Sequence, residues 1–144
     1  MIRIELPGQP DTEVEPGTPV GAVLPAVADN GLNVVGALVN NDAVSLGFPL
    51  AAHAAVTPLT AADPHGWRII RWSLSFLLGK AVHTIFPALS YRVRQSMSNG
   101  LFCTVAWPDN TGLAVHVARI KAEMERLIDD DTPIEYDIVS YADA

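Results

Sequence analysis

A single cysteine, Cys103, stands in the 144 residues. It excludes an intrachain disulfide, and one thiol cannot build a structural zinc site without several histidine partners. Cys103 therefore reads as a small buried hydrophobe. The histidines do not supply those partners: His53, His65, His83 and His116 are scattered, with no pair at helical or zinc-ligand spacing. Each is expected at the surface or partly buried, and no metal site is expected. Long apolar runs are missing too, since Arg, Lys, Pro or Gly interrupts every one before the roughly 18 residues a membrane crossing needs. Met1 leads directly into an alternating segment with no signal-peptide pattern. The expectation is a cytoplasmic protein with no membrane partner.

Nucleotide chemistry of the common kinds is absent as well. The Gly79-Lys80 pair is followed by Ala81 and falls inside an apolar helical pattern, where backbone amides are already used and cannot cradle a phosphate. No dinucleotide fingerprint and no nucleophile-elbow pattern occur. Three consecutive acids, Asp129 to Asp131, read as a solvated helix stop. Because acids sit poorly at the negative end of a helix dipole, the helix is expected to end before them.

What is present is an apolar fraction of 49%, ample for a buried core in one ordinary domain or two small ones. The net charge of -7 is unevenly spread. Residues 1–63 hold seven acids and one base, and residues 109–144 hold nine acids and three bases. Between Asp63 and Asp109 there is no acid, yet Arg68, Arg71, Lys80, Arg92 and Arg94 all lie there. Two readings follow: long basic side chains covering a core and pairing with the acidic flanks, or a phosphate-facing surface.

"MIRIEL" alternates as a half-buried strand, and "GQPD" turns it into "TEVE", giving an opening hairpin. Thr18 as N-cap with Pro19 behind it predicts a helix running to the Asn30-Gly31 stop, shortened or kinked by Pro25. "NVVGALVNN", "DAVSLGFPL" and "AAVTPL" read as three further strands, together a small β-grasp-like α+β module. "TAADPHG" combines turn residues with the switch from acidic to basic composition and marks the boundary. From Trp67 to Phe86, Ile70, Leu74, Leu77, Leu78, Ala81 and Ile85 fall on one helical stripe that Pro87 ends. "LSYRVRQSM" and "NGLFCTVAW" form a hairpin with Arg92 and Arg94 on one face. "TGLAVHVARIKAEMERLIDDD" is a second amphipathic helix, and "TPIEYDIVSY" reads as extended.

This order of elements resembles a known pair of modules. Residues 1–61 resemble the TGS domain, a β-grasp module found at the N-terminus of threonyl-tRNA synthetases. Residues 66–144 resemble the second additional domain that follows it there, with Leu77, Leu78, Gly79, the "IFP" ending and "NGLFCTV" as the matching residues. That family opens the helix with a His-x-x-x-His pattern, and here those two positions hold Trp72 and Phe76. An indole or phenyl ring neither binds metal nor transfers protons as imidazole does, so the resemblance implies loss of the editing chemistry. The run "IRWSLSFLLGKAV", with "EMERLIDDDTPIEYDIVSYADA", is similar to the N-terminal region of bacterial nucleoside kinases of the uridine kinase and phosphoribulokinase type. In that family a kinase domain follows, so a fragment ending at Ala144 is expected. ATP and magnesium would belong only to the downstream kinase domain, with no cofactor in this chain.

The expected role is a non-catalytic recognition or regulatory region. Trp72, Phe76, Lys80 and His83 form a candidate wall for a planar nucleoside, since aromatic faces stack bases. A structural alternative has Trp72 and Phe76 packing as a second core face. Arg68, Arg71, Arg92 and Arg94 are the candidate phosphate or RNA contacts. An RNA- or tRNA-binding module is the alternative function, and a trans-acting tRNA editing factor is a third.

Overall fold

The computed structural model describes residues 1–98, 100–107, 112–132, 134 and 140. Strand β1 (Ile2–Glu5) buries Ile2 and Ile4 and exposes Arg3 and Glu5, as its alternation dictates. It pairs antiparallel with β2 (Thr12–Val14) to give the opening hairpin. Chain order then continues through β3 (Thr18–Pro19), a single 3-10 turn at Val20–Ala22, β4 (Val34–Val39), β5 (Asp42–Val44), β6 (Pro49–Leu50) and β7 (Ala54–Thr60). Five strands form one sheet in the order β2-β1-β7-β4-β5, with β1 and β7 parallel, and β3 pairs separately with β6. This is the β-grasp arrangement of an α+β module. Ile4, Val20, Leu50 and Val56 are the large aliphatics fully buried in its core, each contributing about 1.5–3 kcal/mol.

Asn40 and Asn41 both adopt positive φ, 49° and 72°, which joins β4 to β5 through the tight turn that an Asn pair favours. Two other expectations are corrected. The helix over residues 18–31 is only the 3-10 turn, because long-range pairing claims its backbone. The Gly17 N–H donates to Leu50 O (2.7 Å), Val20 N–H to Phe48 O (2.9 Å) and Gly21 N–H to Leu46 O (2.8 Å). The same pairing splits "DAVSLGFPL" into β5 and β6 around the Ser45–Phe48 turn.

Helix α1 (Pro64–Ile85) starts at a clamped turn. Thr60 donates its N–H (2.8 Å) and hydroxyl (3.0 Å) to Asp63 Oδ2, Asp63 N–H returns to Thr60 O (3.0 Å), and Trp67 N–H donates to Asp63 O (2.8 Å). The Asn30 amide adds a bond to the Thr60 hydroxyl at 3.2 Å. Gly66 makes this turn possible: a methyl group there would sit 2.8 Å from the Thr60 carbonyl carbon and closer still to its oxygen. One turn later Ile69 packs over Gly36 of β4, where a methyl would meet Ile69 Cδ1 at 2.6 Å and Val44 O at 2.7 Å.

The chain divides into two compact units, Met1–Leu74 and Ser75–Ala144, and the division falls inside α1. In the second unit, β8 (Tyr91–Met97) and β9 (Gly100–Val105) form an antiparallel hairpin and α2 spans Leu113–Asp129. Ala81, Val82, Ile120 and Leu127 are its buried core, with Leu77, Leu78, Ile85 and Tyr91 packed against them. The predicted stripe of α1 holds except at Leu74, which is 45% exposed.

Helix α2 runs into the acid triplet rather than stopping before it. Arg126 explains this, since it pairs with Glu123 at 2.8 Å and with Asp130, placing a cation at the helix C-terminus. Asp131 then adopts φ 47°, with Asp131 N–H donating to Ile128 O and Thr132 N–H to Leu127 O, a closed C-cap. The predicted extended segment "TPIEYDIVSY" lies almost wholly outside the described residues. No helix among the described residues is long and apolar enough to cross a membrane. Gly66→Ala is expected to lower the stability of the first unit by about 1–3 kcal/mol. Gly47→Ala, in open space, should change it by no more than about 0.5 kcal/mol, both read by urea unfolding.

Candidate nucleic-acid interface

The site begins with a break in register. Strand β8 follows β9 from Tyr91↔Val105 through Arg92↔Thr104 to Val93↔Cys103, and resumes at Gln95↔Phe102. Arg94 is the extra residue of a β-bulge, a device that re-aims a side chain. Its Nε donates to Thr104 Oγ1 at 3.2 Å, while Arg92 stands opposite the same threonine in the ladder. Ser90, Arg92, Arg94, Thr104, Val105 and Ala106 line an open groove of about 250 Å³. Alternation alone would put Arg92 and Arg94 on one face; the bulge is what gathers both around Thr104.

Neither arginine has a carboxylate partner among the described residues. Guanidinium stays charged at every accessible pH, so this groove is permanently cationic. Arg94 uses Nε for Thr104, leaving its two terminal nitrogens available as a fork. Because Thr104 Oγ1 accepts from Arg94, its own hydrogen is available to donate.

Beneath the hairpin, Tyr91 anchors the strand. Its ring packs over the Gly79 turn of α1, 3.7 Å from where a methyl on Gly79 would lie, and its hydroxyl lies 3.8 Å from Cys103 Sγ. Burial first, and then the thiol beside it, push the Tyr91 hydroxyl up to about 12. Cys103 itself is half-buried.

The remaining sequence-predicted residues are distributed differently. Trp72 is 74% exposed and Phe76 63% exposed, so these rings do not form a second core face. The core side of the helix is filled by other residues, Leu77, Leu78, Ala81 and Val82 in the second unit. Lys80 and His83 are exposed on the same helix. Lys80 has a neighbour that the sequence did not suggest. The Arg126 guanidinium bonded to Glu123 holds that carboxyl below its usual range, and the charge of Lys80 adds to the effect. Arg68 is exposed and Arg71 half-buried on the part of α1 that belongs to the first unit, whereas Arg92 and Arg94 stand on the hairpin of the second.

The histidine expectation is corrected at His116, which is only 1% exposed. Its ring stacks on Trp107 (4.4 Å, 8°) and meets Phe86 edge-on (5.3 Å, 82°), while Arg119 lies 5.0 Å over the Phe86 ring. Histidine here is aromatic packing rather than surface polarity. No sequence periodicity marks that cluster, because its members come from the end of α1, the end of the hairpin and α2. Among the described residues, no group of three or more His, Cys, Asp or Glu is placed to hold a metal ion.

Comparison with known proteins gives one consistent answer. No protein-family model matches the chain. A threonine–tRNA ligase from Solidesulfovibrio magneticus is 34% identical over 140 residues, 92% of this chain and 21% of the ligase. Threonine–tRNA ligases from Desulfosudis oleivorans (26% identical) and Lactiplantibacillus plantarum (24%) match over 147 residues each, 100% and 99% of this chain and 22% of theirs. The chain thus spans about a fifth of the length of these relatives, and is similar to that portion of them along nearly its whole length. The synthetase-like part of the sequence resemblance is supported by these relatives; the nucleoside-kinase part is not.

A spectroscopic titration tests the anchor under the groove. A raised phenol keeps its proton in the fold, so the stability it contributes is complete below about pH 10 and is lost as pH rises through about 12. Tyr91→Phe should remove a phenol that ionises at about pH 12 from the ultraviolet titration and lessen the loss of stability across that window.

Proposed function

We propose that this chain is an RNA-recognition region of the kind carried by threonine–tRNA ligases, binding RNA without hydrolysing it. The observation that carries this reading is the groove of Arg92, Arg94 and Thr104, cationic and without a carboxylate partner among the described residues, on a chain similar to ligases whose name specifies tRNA. Guanidinium forks contact phosphates bidentately, and a bulged, solvent-open hairpin presents them on an open face. Trp72 and Phe76 at the positions of the family's histidine pair argue against an editing activity, since neither ring can bind metal or shuttle a proton. Arg68 and Arg71 are further candidate phosphate contacts.

One specific feature favours a second reading. Phe76 is exposed on the part of α1 that belongs to the second unit and also carries Lys80 and His83, and Trp72 is exposed on the part in the first; a nucleoside base can stack on either ring. With the similarity of "IRWSLSFLLGKAV" and "EMERLIDDDTPIEYDIVSYADA" to nucleoside-kinase N-terminal regions, the second reading is a recognition region preceding a nucleoside kinase domain, which would itself bind ATP and magnesium.

Salt separates the two. Binding of a single-stranded RNA through four or five phosphates should weaken with log salt at a slope of roughly -3, and stacking of a nucleoside should barely respond. Arg92→Glu with Arg94→Glu should abolish RNA binding and leave nucleoside binding intact, read by fluorescence titration. Unchanged RNA affinity in that double variant would sink the RNA reading.

A further inference from the structure

We infer that the Arg92–Arg94–Thr104 groove is a site for a terminal phosphate, the phosphomonoester on a nucleotide, rather than for the phosphodiesters along a strand. This sharpens the RNA reading and rests on it for the location of the site. Three features carry it.

The first is charge. Arg92 and Arg94 bring two permanent positive charges to one groove, with no acid anywhere between Asp63 and Asp109 to offset them. A phosphomonoester carries about -1.5 to -2 at neutral pH, which balances two guanidiniums; a diester carries a single charge and leaves one cation unmatched.

The second is the donor set. Arg94 is oriented by its Nε bond to Thr104 Oγ1 at 3.2 Å, so its terminal nitrogens form a fixed fork. The Thr104 hydroxyl accepts that bond and has its hydrogen left to give, while Arg92 stands across the ladder from Thr104. Two guanidiniums and a hydroxyl lining one groove offer more donors than the two free oxygens of a diester use, and suit the three terminal oxygens of a monoester.

The third is shape. The groove is concave, and Val105 and Ala106 add apolar lining beside the polar residues. At about 250 Å³ it has room for more than a phosphate, so a sugar can lie against the apolar part.

The shared chemistry is a nucleoside phosphomonoester, and its source is either the 5′ end of an RNA or a free nucleotide. The test uses the full chain and four probes: a short unstructured RNA with a 5′-phosphate, the same RNA with a 5′-hydroxyl, adenosine 5′-monophosphate, and adenosine. The 5′-phosphorylated RNA is expected to bind roughly tenfold tighter than its hydroxyl twin, the effect of one charge-assisted contact set. Arg92→Gln should erase that ratio. Thr104→Val, close in shape, should reduce it severalfold with circular dichroism unchanged. Arg94→Lys should reduce it as well, because an ammonium keeps the charge but not the fork.

If the two RNAs bind alike, the terminal-phosphate site is wrong while the RNA reading stands. If adenosine 5′-monophosphate binds better than adenosine in an Arg92-dependent way and neither RNA binds, the phosphate site stands, its source is a free nucleotide, and the RNA reading fails. If no probe binds, both fail.

Discussion

Among the described residues, Arg92 and Arg94 line one groove with Thr104 and have no carboxylate partner, and the proposed site on the second unit rests on that imbalance. Like charges close together repel, weakly in water and more strongly as the site dries. Among the described residues, Arg126 lies between Glu123 and Asp130, and Lys121 faces Glu125 one turn on. Arg92 and Arg94 differ from these, with neither in an ion pair among the described residues. Remaining exposed on a bulged hairpin keeps their repulsion small in the free protein. In the proposed function, an arriving anion would gain from both.

The scaffold beneath makes this surface definite. Tyr91 fastens the start of β8 over the Gly79 turn, and the core of Ala81, Val82, Ile120 and Leu127 holds α1 and α2 behind it. The rest of β8, from Arg92 onward, is exposed, so the strand is anchored at one end and open along its length. In the first unit, the Thr60 and Asp63 bonds and the close approach at Gly66 hold the end of β7 against the first turn of α1. Both regions use small residues to let a backbone or ring come close, and each is rigid where it is packed. The exposed Trp72 and Phe76 belong to neither core. Their apolar rings in water are a standing free-energy cost, which a stacked ligand would relieve.

Much of this was legible in the residues. The alternation Ile2, Arg3, Ile4, Glu5 and the Asn40-Asn41 pair announce a strand and a tight turn, because period and positive φ are local properties. Leu77, Leu78, Ala81 and Ile85 announce the buried side of α1 for the same reason. Residues 18–31 misled because Thr18, Pro19 and the Asn-Gly stop are local helix signals, whereas residues 46–50 capture the backbone from a distance. Arg92 and Arg94 were legible as candidates from the acid-free span, but Thr104, Ser90 and the bulge were not. No glycine or proline marks the extra residue, and only the register Val93↔Cys103 and Gln95↔Phe102 reveals it. The His116 stack on Trp107 and Phe86 escaped for a related reason, since three separate segments must meet to make it.

The most direct test of the account is to watch the arginine side chains themselves. In a nuclear magnetic resonance titration of the labelled chain with a single-stranded RNA, the Nε–Hε signals of Arg92 and Arg94 should move together and saturate at one concentration, with Arg126 unmoved in its ion pairs. Shifts confined to the indole signals of Trp72 or Trp67, with Arg92 and Arg94 unchanged, would contradict it.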